Sequence, residues 1–145
     1  MRIYVANDHT AVEMKNKIIE HLNILGHEVI NLGTDSIKSI SYAEKGIELA
    51  KRVVNDKESF GIAICGTGIG ISIAANKVNG ARAALSYEET TTRLAREHNN
   101  ANILALGARI IAIEKALKLI DIFLSTPFEG GRHIKRIESL DNYNG

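Results

Sequence analysis

What most constrains this chain is an alternation: short apolar runs, each followed by a segment of helical period, recur along its length. The runs are Ile3–Ala6, HEVINLG from His27, Phe60–Cys65, ARAALS from Ala81 and NILALG from Asn102. Between them, Val12 to Leu25 carries apolar residues at helical spacing and Gly26 supplies a stop. A polar loop, Thr34 to Ser41, precedes a second helix over Ala43–Val54. Further helices are predicted over Ile71–Lys77, Glu88–His98 and Ile113–Leu124, the last ended near Pro127, with a short basic helix over Arg132–Leu140. Short apolar strands alternating with helices predict a parallel sheet covered on both faces. The expected fold is α/β, a single Rossmann-like doubly wound domain over residues 1–145 with a five-stranded parallel sheet.

The bulk properties fit such a domain. At 145 residues and 45% hydrophobic content, the chain can bury a real core. Its 18 Lys and Arg nearly balance 17 Asp and Glu, which argues against a nucleic-acid surface. One cysteine leaves no intrachain disulfide framework. The opening MRIYVANDHT lacks the length and flanks of a signal peptide, and no apolar run approaches a membrane span. The expected compartment is the cytoplasm, with no membrane partner.

Ligands of doubly wound sheets bind beyond the carboxyl ends of the strands. Here those ends deliver Asp8 and His9, Cys65 to Gly70, Ser86 and Tyr87, and Gly107 to Arg109. The loop CGTGIG fails as a dinucleotide fingerprint, because the third glycine would have to stand at position 71, which is Ile. It fails as a Walker A loop for lack of a closing G-K-[ST], and as a cysteine-phosphatase loop for lack of an arginine before Lys77. What remains is physical: glycines permit close backbone approach, and free N–H groups can bind a phosphate or a developing oxyanion. Cys65 lies beside those groups, where a thiolate is favoured, although a buried structural cysteine is the ordinary alternative. Thr67 either caps the following helix or takes part in chemistry. Asp8 and His9 either form a turn or a site. His98 suits a helix end or general acid–base work. GGRHIKR carries Arg132, His133, Lys135 and Arg136, with Arg132 and Arg136 on one face of a helix: a phosphate clamp or a solvated basic face.

Taken together, NDHTAVEMK, FGIAICGTGIGISIAANK, REHNNANILALGAR and FEGGRHIKR resemble the ribose-5-phosphate isomerase B family, which includes galactose-6-phosphate isomerase subunits. The resemblance spans nearly the whole chain. It implies a Rossmann-like domain acting on a phosphorylated sugar, with no cofactor and no metal. It also implies a homodimer or dimer of dimers, with sites at the subunit interface. Carried over by motif, Cys65 moves a proton between the two carbons of the aldose–ketose pair, and Thr67 and His98 help open the sugar ring. The amides around Gly66, Gly68 and Gly70, with Ser72 nearby, hold the enediolate oxygen. Asp8 and Asn99 contact sugar hydroxyls, Tyr42 lies near the ring, and His9, Arg109, Arg132 and Arg136 hold the phosphate. The expected reaction interconverts D-ribose 5-phosphate and D-ribulose 5-phosphate. A hexose-6-phosphate isomerase and a non-catalytic sugar-phosphate binder are the alternatives. Two departures stand out: DHTA where the family often has DHAG, and SYAE where it often has DYPD. Both bear on loop rigidity and the sugar accepted.

Overall fold

The computed structural model describes residues 1–143; Asn144 and Gly145, the end of the expected 1–145 domain, lie outside the described residues. Five strands are formed: β1 (Arg2–Asn7), β2 (Glu28–Asn31), β3 (Ser59–Cys65), β4 (Ala83–Leu85) and β5 (Ile103–Gly107). Six α-helices alternate with and follow them: α1 (Val12–Ile24), α2 (Tyr42–Val54), α3 (Ile69–Ala75), α4 (Glu89–Glu97), α5 (Ile113–Ser125) and α6 (Ile134–Asp141). Single turns of 3-10 helix precede α1 (His9–Ala11) and α6 (Gly131–His133).

All strand pairs are parallel, in the order β2-β1-β3-β5-β4. Side chains alternate between the two faces of each strand, so two cores form. Ile3, Val5, Ile62, Ile64, Leu104 and Leu106 pack under α1, α4 and α5. Tyr4, Ala6, Ala63, Cys65, Ile103 and Ala105 pack under α2 and α3. Each fully buried Ile or Leu contributes roughly 1.5–3 kcal/mol relative to exposure. Connections toward β2 run under α1 and α4, and those away from it under α2 and α3. All four crossovers therefore share one hand, as twisted parallel sheets require. The chain leaves β1 and β3 on opposite faces and in opposite directions, which opens a crevice between their carboxyl ends.

The elements match the sequence expectations in number and type. Most boundaries shift by one or two residues, and three of the shifts have a local cause. α3 begins at Ile69 instead of 71, because Gly68 adopts φ +82° and breaks the chain direction there. β4 is confined to three residues, consistent with an edge strand paired on one side only. α6 begins at Ile134 because Arg132 belongs to the preceding 3-10 turn. Among the described residues no helix is long and apolar enough to cross a membrane.

Candidate active site

The carboxyl edge of the sheet gathers most of the expected residues. Cys65 ends β3, is 5% exposed, and its Sγ accepts the Gly68 N–H at 3.2 Å. The next donor, the Ile69 N–H, goes to Thr67 Oγ1 at 3.1 Å, which leaves the exposed Thr67 hydroxyl free to donate outward. A Cβ on Gly68 would fall 2.8 Å from the Leu106 carbonyl carbon, so both its conformation and its packing demand glycine. α3 has only seven residues, so the local field comes from the loop's own N–H groups more than from a macrodipole. Ser72 sits inside α3 with its hydroxyl donating to the Ile69 carbonyl at 2.7 Å.

Three neighbours close around this loop. Tyr42, the first residue of α2, lays its ring against Gly70, where an added Cβ would meet the ring at 2.3 Å. Arg109 follows β5; its N–H donates to the Gly66 carbonyl at 2.9 Å and its side chain passes beside Gly66. Asp8, 5% exposed at the end of β1, accepts the Thr10 N–H at 2.9 Å and the Thr10 hydroxyl at 2.5 Å. The threonine of DHTA thus fixes the carboxylate. His9 Nδ1 accepts the Ile40 N–H at 3.2 Å, so in the neutral ring Nε2 carries the proton. The second departure is also accommodated: Ser41 of SYAE caps α2 by accepting the Glu44 N–H at 3.3 Å.

The remaining expected residues lie at the other end. In this fold each of α1 to α5 starts at the carboxyl edge and returns to the amino edge. His98 caps the C-terminus of α4, and Asn99 follows it, exposed. The Glu129 N–H donates to the Glu97 carbonyl at 3.1 Å, which ties the Arg132–Arg136 segment to the same place. Both arginines are exposed. Gly107 pairs in register with Cys65, and the five residues from Ile103 to Gly107 span about 13 Å. One chain therefore presents Cys65 and Thr67 at one edge and His98 at the opposite edge.

His98 stacks on His133, with ring centroids 4.5 Å apart and planes at 17°. His133 is 5% exposed, and its Nε2 lies 3.5 Å from Glu129 with no hydrogen-bond partner. Burial, then Arg132, His98 and Arg136, hold its imidazole below the usual range, against the pull of Glu129. Ligand atoms of His98, Glu129 and His133 come within 4.8 Å of one another. In-plane lone pairs of two stacked rings do not converge on one ion about 2 Å from each.

Sequence reasoning gave three contributors no role, although it placed Tyr87 at a carboxyl strand end. Thr10 orients Asp8. Tyr87, at the end of β4, donates its phenol O–H to the Thr67 carbonyl at 2.7 Å. Arg96 is 7% exposed and donates to the carbonyls of Thr126 and Ala101 and to Asn100 Oδ1. It thereby shapes the turn after His98, where Asn100 takes φ +45°. Only Tyr87 left a signal, its place at a carboxyl strand end.

Residues 3–140 match the Ribose/Galactose Isomerase family. The chain belongs to that family. It is 44% identical over 145 residues to ribose-5-phosphate isomerase B of Mycobacterium leprae, covering 99% of this chain and 90% of the relative. Among solved structures, it superposes on a ribose 5-phosphate isomerase from Thermotoga maritima with TM-score 0.94 and 46% identity, covering 98% of each chain. It is also similar to ribose-5-phosphate isomerase B from Mycoplasma genitalium, solved with bound ribulose-5-phosphate. That match has TM-score 0.94 and 40% identity and covers 98% of this chain and 95% of the other.

Proposed function

We infer that this protein is an aldose–ketose isomerase interconverting D-ribose 5-phosphate and D-ribulose 5-phosphate, with Cys65 carrying the proton. The single observation that carries this reading is the Cys65 sulfur held against a loop amide at 3.2 Å, in a chain of this family. Thr67 and His98 open the furanose ring. The Cys65 thiolate then removes the C2 proton of the open aldose, and the electron pair forms the C1–C2 double bond of a cis-enediolate. The same sulfur returns the proton to C1, while the C2 hydroxyl proton passes to the C1 oxygen and leaves the carbonyl at C2. General acid–base catalysis of this kind contributes roughly 10²–10⁴-fold. With the Gly68 N–H directed at the Cys65 sulfur, each N–H around Gly66 and Gly70 that meets the enediolate oxygen adds about 3 kcal/mol of transition-state stabilisation. His9 and Arg109, with Arg132 and Arg136, hold the phosphate and so place the reacting carbons.

This assignment needs two copies of the chain. A two-fold dimer that sets the carboxyl edge of one copy against the amino edge of the other brings Cys65 to His98 twice over. Exposed apolar side chains beside the loop, Ile69 at 47%, Ile73 at 57% and Tyr42 at 46%, support a covering partner there.

The deciding experiment assays ribose, allose and galactose phosphates side by side, with parent and Cys65→Ala. Turnover of ribose 5-phosphate is expected to dominate and to fall at least ~10²-fold in the variant. Equal turnover by the two proteins removes Cys65 from the mechanism. Preference for a hexose phosphate shifts the reading to the hexose enzyme. Binding without solvent deuterium entering C2 makes the protein a sugar-phosphate binder.

A further inference from the structure

We propose that Tyr87 is a positioning residue that aims the Gly68 amide at the Cys65 sulfur. The peptide joining Thr67 to Gly68 is trans, so its carbonyl and its N–H point to opposite sides of one rigid plane. Both ends of that plane are occupied. The Thr67 carbonyl accepts the Tyr87 phenol at 2.7 Å, and the Gly68 N–H donates to Cys65 Sγ at 3.2 Å. Turning the peptide over would take the amide away from the sulfur, and the phenol opposes that turn.

The seat of the carbonyl is shaped for this arrangement. Gly107 also lies against it, where an added Cβ would come within 2.6 Å of the Thr67 oxygen. The oxygen therefore touches both the β5 backbone and the phenol. A donor bonded to the carbonyl also polarises the peptide, which makes its N–H a better partner for a thiolate. Tyr87 reaches this point from the end of β4, twenty residues along the chain, although a part-exposed phenol can simply bond water. Its action on the sulfur runs through this peptide.

The catalytic consequence rests on Cys65 as the proton carrier, whereas the geometric relay does not. Tyr87→Phe removes only the O–H and keeps the ring. At one fixed pH, the variant is expected to show kcat about 5-fold lower with KM unchanged. Alkylation of Cys65 by iodoacetamide, followed by mass spectrometry, is expected to slow by about the same factor. The melting temperature is expected to stay close to the parent's. Parental kcat together with a parental alkylation rate overturns the proposal. So does a fall in kcat with unchanged alkylation, because the effect then bypasses the sulfur. Slower alkylation in the variant of a parent that turns over no sugar phosphate supports the relay while the isomerase reading fails.

Discussion

His133 carries an acid-sensitive contribution to stability. Its folded imidazole titrates below the ordinary 6.5, first because it is buried and then because Arg132, His98 and Arg136 surround it. Above that pH both folded and unfolded chains hold it neutral and stability is complete. As pH falls through 6.5 the unfolded chain takes a proton that the folded chain resists, and stability is lost until the folded imidazole also titrates. Denaturant melts across this range should show the parent losing stability as pH falls, with that component absent in His133→Asn; equal slopes would place its origin elsewhere. Arg136→Ala tests a neighbour with a different duty. Loss of one charge-assisted phosphate contact should raise KM about tenfold with kcat nearly unchanged, read from initial rates. An unaltered KM would leave Arg136 as a solvated surface charge.

The elements were legible because each strand and helix carries its own period. Their ends were less so. The start of α3 depends on the left-handed Gly68, and that of α6 on a 3-10 turn, neither of which apolar spacing registers. Arg96 is the clearest residue that sequence could not place. In LAREHNN it reads as a solvated helix position, yet it is buried over the rings of Phe60 and Phe123, at 4.8 and 5.7 Å. Its partner Thr126 lies thirty residues away, so only tertiary structure brings the acceptor within reach. Arg96→Met should cost roughly 3 kcal/mol, because the Ala101 and Thr126 carbonyls lose a charged donor. Denaturation midpoints measure this; a parental midpoint would show that water replaces the guanidinium without loss.

At the scale of the molecule, the separation of the expected site residues was not legible in the sequence. Cys65 and His98 fall in one motif set, yet α4 runs back along the sheet and leaves His98 at the far edge. Only strand order and helix direction reveal this. The two-chain site predicts that Cys65→Ala and His98→Asn, each inactive alone, regain activity when unfolded together and refolded. Half of the dimers are then mixed, with one of two sites intact, so about a quarter of parental turnover should return. No regain would place both residues in the site of one chain. The same division has a genetic counterpart. In a cell carrying two defective alleles of this chain, lesions at opposite edges of the sheet would complement, whereas two lesions at the same edge would not. A complementation map of inactive alleles would then redraw the two ends of the β-sheet.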